Sequence, residues 1–231
     1  MSKLYIVATP IGNLEDITYR AVRTLKEVDF VICEYTIHSV KLLYHTGISK
    51  TFESMFVGSE KKKAAKIAEK IAAGSSAAFI TDAGTPGIQD PGTHLVRECV
   101  SQGIEVIPVP GPSALVTALS AAGLTGSGFV FEGFLPVKQG ARKRLMQSWV
   151  LQNRECAVAY ESTHRILKTL QDISEVLGSE TQIVIARELT KKFEEFIRGS
   201  VAEAITHLEQ HSTKGEFVLM VNVLTHSNKI S

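Results

Sequence analysis

SAAFITDAGTPGIQDPGTHLVRECVSQGIEVIPV, residues 76–109, decides the fold. It opens on a short apolar run, SAAFITD (76–82), that stops at an acid and a loop of glycines and prolines. THLVRECVSQ (93–102) then carries the apolar spacing of a helix with one buried face, Gly103 stands where a helix C-cap falls, and IEVIPV (104–109) is a second β-branched run. Two buried strands joined by a helix must lie parallel, because a parallel pair needs a long crossover and the helix covers one face.

The same rhythm extends toward the N-terminus. LYIVAT (4–9) and DFVICE (29–34) read as buried strands, with ITYRAVRTLKEV (17–28) and KKKAAKIAEKIAA (61–73) as amphipathic helices and Gly74 at a C-cap. Beyond the helical stretch PSALVTALSAAGL (112–124) the order changes. FVFEGF (129–134), CAVAYE (156–161), IVIAREL (183–189), EEFIRG (194–199) and EFVLMVNV (216–223) read as strands, with a basic segment at 138–149 and a helix over 163–177. IVIAREL and EEFIRG are too close for a crossover, which predicts an antiparallel hairpin and a mixed sheet. The expected fold class is therefore α/β with two α/β domains, 1–115 mainly parallel and 116–231 mixed. The closing THSNKIS (225–231) reads as a frayed tail.

Composition bounds the function. The chain has 231 residues, 44% of them hydrophobic and 21% charged, which excludes disordered and low-complexity classes. With 25 Lys plus Arg against 24 Asp plus Glu, a formal charge of +1 gathers no polyanion globally, so any nucleic-acid contact must be local. Cys33, Cys99 and Cys156 are widely spaced and read as reduced core thiols. MSKLYIVATPIGNLED (1–16) is too short in apolar residues for a signal segment or a membrane span, which predicts a cytoplasmic protein with no membrane attachment.

Ligands of open α/β sheets bind outside the carboxyl ends of the strands. Those ends carry Thr9 and Pro10, Glu34, Asp82, the run Pro108 to Pro112, and Glu161 and Glu188 in the second half. Asp82 to Gly92 combines three glycines, which let backbone approach a ligand, with two prolines, which lower the entropy of ordering it. Pro110-Gly111-Pro112-Ser113 is proline-rich too and opens a helix. Taken singly, such loops are turn chemistry and such carboxylates are helix caps; two loops aligned at one edge point to a binding site. Lys138, Arg142, Lys143 and Arg144 read either as a solvated helix start or as a patch for RNA phosphates. His38, His94 and His164 are scattered without carboxylates at ligand spacing, so no metal is expected. There is no G-x-G-x-x-G after the first strand, no phosphate-binding G-x-x-x-x-G-K-[ST] and no G-x-S-x-G.

Seven segments, LYIVATPIGNLEDIT, TDAGTPGIQDPG, IPVPGPSALVTALSAAGL, FVFEGFLP, YESTHRI, ARELTKKFEEFIRG and KGEFVLMV, run in order over nearly the whole chain. In them the chain resembles the tetrapyrrole-methylase superfamily of S-adenosylmethionine-dependent enzymes, and within it the bacterial small-subunit ribosomal RNA cytidine-2′-O-methyltransferases. The resemblance implies two α/β domains with S-adenosyl-L-methionine held between them, in a homodimer acting on ribosomal RNA or the small ribosomal subunit. It carries cofactor contacts onto Pro10, Ala83, Gly84, Thr85, Ile88, Ser113 and Ala114, with Glu161 and Leu189 from the second domain. A methyl already activated on a sulfonium asks for placement and for removal of a hydroxyl proton, with no metal; Glu34 and Asp82 are the candidates to take or orient that proton.

Two stretches depart from the family pattern. Glu34-Tyr35-Thr36-Ile37 stands where the rRNA methylases usually carry Glu-Asp-Thr-Arg, and Ser54-Met55-Phe56-Val57-Gly58 stands in the region of a His-Glu-His-Asn cluster. An arginine fork suited to phosphate has become aliphatic, and polar groups have become apolar. Methylation of a cytidine 2′-hydroxyl in small-subunit (16S) rRNA leads. The alternatives are a small tetrapyrrole-like molecule or another RNA as acceptor, or a protein that binds the cofactor without acceptor chemistry.

Overall fold

Five parallel strands fill the first half of the chain: β1 (Lys3–Val7), β2 (Phe30–Cys33), β3 (Thr51–Ser54), β4 (Ser76–Phe79) and β5 (Glu105–Val109). They pair in the order β3-β2-β4-β1-β5. The computed structural model describes residues 2–56, 58, 60–124 and 128–223, so the expected tail at 225–231 lies outside them. By contacts the chain divides into two units, Met1–Ser113 and Ala114–Ser231.

Parallel strands are buried on both faces, so each face needs a helix layer. The alternation of side chains along the strands shows how this is met. Val7, Val31 and Ile80 pack with Ala21 and Leu25 of α1 (Tyr19–Glu27) and Leu43 of α2 (Thr36–His45). Leu4, Ile32 and Phe79 face the other way, against Ile67 and Ile71 of α3 (Glu60–Ala72) and Leu95 of α4 (Thr93–Ser101). Each fully buried Leu, Ile or Phe contributes about 1.5–3 kcal/mol, which makes these two layers the dominant stabilising term of the unit. Thr18 starts α1 by accepting the Ala21 N–H at 3.0 Å, and the chain leaves α3 and α4 shortly before Gly74 and Gly103.

In the second unit β6 (Val130–Phe134), β7 (Cys156–Ser162), β8 (Gln182–Arg187), β9 (Glu195–Ser200) and β10 (Glu216–Asn222) pair in the order β6-β7-β10-β8-β9. Only β6 and β7 are parallel, and the β8–β9 hairpin is antiparallel as the short spacing requires. Met146 and Trp149 of α6 (Gln139–Leu151), Leu170 and Ile173 of α7 (Ile166–Leu177) and Val201 of α8 (Val201–Gln210) cover one face. α5 (Ala114–Ala122) packs on β8 and β10. One sheet is parallel and the other mixed, as the periodicity predicts.

Three elements escape the periodicity. β3 is an edge strand with no fully buried residue, so TFES shows no apolar run. α2 has no side-chain cap and leaves Ile37, Val40 and Tyr44 exposed, so its pattern lacks a clean apolar face. α8 does carry a signature, the capping box in which Ser200 and Glu203 bond each other's backbone N–H. Cys33, Cys99 and Cys156 are buried and free, and burial pushes the Cys99 and Cys156 thiols up to about 11. Among the described residues no helix is long and apolar enough to cross a membrane.

Gly92, the residue that precedes α4, is the most closely packed glycine described in the first unit. Its φ is +134°, and a Cβ there would lie 2.5 Å from Cε1 of Phe79, a ring with no exposed surface. Gly92→Ala combines left-handed strain with overpacking, so a loss of about 2–4 kcal/mol is expected in urea unfolding. A change below about 0.5 kcal/mol would refute this account of the α4 start.

Candidate functional site

The first unit gathers its candidate residues through hydrogen bonds between loops. Just past β1 and β4, the Thr9 N–H donates to the Gly84 carbonyl at 2.9 Å and the Gly84 N–H returns to the Thr9 carbonyl at 3.0 Å. The Thr9 hydroxyl donates to the Thr81 carbonyl at 3.0 Å. Thr85 Oγ1 then donates to the Pro112 carbonyl at 3.2 Å, which ties the loop after β4 to the loop after β5. Gly111 comes so close to the first loop that a Cβ on it would lie 3.1 Å from the Ala8 Cβ and 3.6 Å from Thr18 Cγ2. Pro10, Ala83, Gly84 and Thr85 are thereby held together, with Ser113 closing the unit. Ile88 lies farther along the loop and is 45% exposed, and Ala114 opens α5 in the second unit.

Carboxylates collect at the same strand ends. The parallel register of β2 and β4 sets Ile32 beside Phe79, so Glu34 and Asp82 follow the ends of adjacent strands one register step apart. Burial and the Asp82 charge push the Glu34 carboxyl above its ordinary range. Asp90, which the strand-end reasoning missed because it lies eight residues past Asp82 in the loop, joins them. Burial first, then the charges of Glu34 and Asp82, raise Asp90 from 3.8 to about 6. The loop returns Asp90 toward the sheet because the Gly87 N–H donates to the Pro91 carbonyl at 3.1 Å and Gln89 adopts a φ of +67°. Glu60 Oε1 accepts from the Gly92 and His94 N–H groups at 2.8 and 3.0 Å, which pins the far end of the loop. Three acids on a pinned frame can attract a positive group, orient hydroxyls and take up a proton near neutrality.

In the second unit the expected residues behave differently. Glu161, on β7, is 2% exposed, and its carboxylate is used internally. It accepts the Ser162 N–H at 2.9 Å and the Thr169 hydroxyl at 2.7 Å, and pairs with Arg165 at 3.2 Å. Leu189 is buried between Glu188 and Thr190, whose φ values of +51° and +64° form a tight corner.

The reading of the basic segment needs one clear correction. Arg142 is buried on the inner face of α6, in register with Met146 and Trp149. Its Nε donates to Asp172 at 2.7 Å and its Nη1 to the Pro136 and Val137 carbonyls at 3.0 and 3.2 Å, so it holds the unit together and has nothing left for phosphate. Lys143 is drawn to Glu175 and Asp172. Lys138 and Arg144 stay exposed.

The tetrapyrrole (corrin/porphyrin) methylase family matches residues 3–205. The chain belongs to this family. It is 49% identical over 220 residues to the Ribosomal RNA small subunit methyltransferase I of Haemophilus influenzae, covering 94% of this chain and 77% of that one. To the protein of the same name from Thermotoga maritima it is 46% identical over 222 residues, covering 96% and 99%. Among solved structures, uroporphyrin-III-C-methyltransferase from Thermus thermophilus superposes with a TM-score of 0.66 at 18% identity over 99% of this chain and 98% of that one. A diphthine synthase superposes with a TM-score of 0.73 at 13% identity, over 96% and 90%. At those identities the superpositions establish the tetrapyrrole methylase fold: one parallel sheet and one mixed.

The Arg142–Asp172 pair gives a direct test. Asp172 has no exposed surface, so Asp172→Ala leaves a buried guanidinium unpaired and should cost about 3–5 kcal/mol in urea unfolding. The double variant Arg142→Met with Asp172→Leu should recover most of that loss. A single-variant loss under about 1 kcal/mol would return Arg142 to the surface candidates.

Proposed function

We propose that this tetrapyrrole methylase transfers methyl from S-adenosyl-L-methionine to small-subunit (16S) ribosomal RNA, with the 2′-hydroxyl of a cytidine as acceptor. The observation that carries the reading is the identity of 43–49% over at least 94% of the chain to proteins named Ribosomal RNA small subunit methyltransferase I. In this reading the protein works in the cytoplasm as a homodimer, the latter testable by sedimentation.

The residues present fit the cofactor. The loop bridge at Gly84, whose φ of +78° bends the chain back toward Ile11, leaves Ala83 exposed beside it, and backbone edges from three loops lie within one small region. Pro10, Ala83, Gly84, Thr85, Ile88, Ser113 and Ala114 hold the cofactor in this reading; Leu189 supplies an apolar contact, and Glu161 acts only by shaping β7. When bound, the cofactor supplies a methyl made electrophilic by its sulfonium. Glu34 and Asp82 orient hydroxyls from the ends of β2 and β4. Asp90 takes the hydroxyl proton, because a carboxylate that titrates near 6 is ionised at neutral pH yet basic enough to share a proton.

Labelled methyl from S-adenosyl-L-methionine should therefore enter small subunits isolated from cells lacking the protein, and nuclease mapping should place it on a cytidine ribose. Label confined to small molecules would move the acceptor outside RNA. Calorimetric cofactor binding without any transfer would leave a binding protein.

The carboxylate cluster adds a pH dependence. The value of kcat/KM for the cofactor should rise through pH of about 6 and level off above it, as Asp90 ionises in the free protein. Asp90→Asn should abolish that limb and lower kcat about 100-fold or more. The native Asp90 carboxyl ionises at a higher pH than the unfolded one, so wild-type stability falls as pH rises from 3.8 toward about 6. Asp90→Asn should accordingly melt above wild type at pH of about 8, with the gap closing toward pH of about 4. An unchanged pH–rate profile would remove Asp90 from the chemistry.

A further inference from the structure

We propose that the outer face of α1 is a docking surface for the phosphate backbone of RNA, with Tyr19 as a stacking platform for an unpaired base. The inference rests on the rRNA reading above and extends it to a surface that neither the strand-end loops nor the basic segment of α6 supplies.

α1 is YRAVRTLKE, and its buried residues are Ala21, Thr24 and Leu25. At 100° per residue the opposite arc holds Lys26, Tyr19, Arg23, Glu27 and Arg20 in that angular order, four cationic or aromatic groups and one acid. All four are exposed, Tyr19 by 98%. Among the described residues Arg20, Arg23 and Lys26 make no ion pair and no side-chain hydrogen bond, although other cations of the unit do: Lys3 pairs with Glu105, Lys70 with Glu53, and Lys63 donates to Ser54. The first turn of α1 contains no acid and carries Arg20, a charge sign that the helix dipole disfavours there. Lys26 in the last turn suits the helix dipole, but helix stability gives no reason for Arg20. Glu15 and Asp16 lie in the turn before α1, and Glu27, one turn after Arg23, is the one acid on the face, which leaves it with three cations against one acid.

The position of the face suits the task. α1 starts from the loop after β1, and its N-cap Thr18 packs against Gly111 of the loop after β5. Tyr19 and Arg20 thus stand at the rim of the loops that the cofactor reading uses. From Tyr19 to Lys26 the helix rises about 10 Å, roughly the length of three nucleotide steps of a strand. Arginine and lysine on such a face position a polyanion without reading its sequence, and an exposed aromatic ring adds stacking that tolerates any base.

The test is RNA affinity as a function of salt. Fluorescence anisotropy with a small-subunit rRNA fragment should show Arg20→Gln/Arg23→Gln/Lys26→Gln weakening binding tenfold or more, in order of magnitude, and lowering the slope of log affinity against log salt by about 2, as loss of three phosphate contacts requires. Tyr19→Ala should weaken binding about fivefold or more with an unchanged slope. Calorimetric S-adenosyl-L-methionine affinity and the melting temperature should match wild type in both variants, which excludes misfolding. Unchanged affinity and slope, while wild type binds the RNA, would overturn the inference and leave the rRNA reading standing. Conversion of a dimer to monomers by the triple variant would overturn it by making the face an interface between copies. Wild-type protein that binds no RNA would overturn both.

Discussion

Two backbone hydrogen bonds between Thr9 and Gly84 set the geometry on which the candidate site depends. β1 and β4 are neighbours in a parallel sheet, so their ladder ends at the same edge and leaves the next peptide groups in need of partners. The reciprocal pair satisfies them, the Thr9 hydroxyl takes the Thr81 carbonyl as well, and the left-handed φ of Gly84 turns the chain away from the sheet. From that corner the loop has little freedom. Asp82 is fixed beside Glu34, Thr85 reaches Pro112, and the segment must come back through Asp90 to meet Glu60 and begin α4.

The electrostatics follow from that path. Burial and the neighbouring charges push the Glu34 and Asp90 carboxyls up, and Asp90, which faces the charges of both Glu34 and Asp82, is raised to about 6. The same repulsion makes the place favourable for a positive group, and the coupling works both ways: a bound cation would draw the Asp90 titration back down.

Most of the architecture was legible in the sequence because buried parallel strands announce themselves as short β-branched runs bounded by acids, prolines and glycines. β3 was not, since an edge strand with one neighbour buries too little to show a pattern, and α2 was not, since its exposed Ile37, Val40 and Tyr44 blur the helical face. At the site, the residues next to a strand end, Glu34 and Asp82, could be picked by position. Asp90 could not, because its proximity depends on a loop closed by the Gly87–Pro91 bond and a left-handed Gln89, neither of which spacing reveals. Glu161 shows a different case: a carboxylate at a strand end can be engaged by its own unit, here by Thr169 and Arg165.

Charge patterning explains why Arg142 in the basic run of α6 turns inward while the cations of α1 do not stand out. Arg142, Lys143 and Arg144 are consecutive and fan over about 200° of the helix, so they do not share one face, and here Arg142 turns toward the core against a buried acid. Asp172 is that acid, and the pair links α6 to α7. Arg20, Arg23 and Lys26 are spaced three apart, which looks sparse in the sequence but keeps all three on one outward face. For a protein with a formal charge of +1, density along the chain is thus a poor guide to where a polyanion can be held, and phase around the helix is the better one.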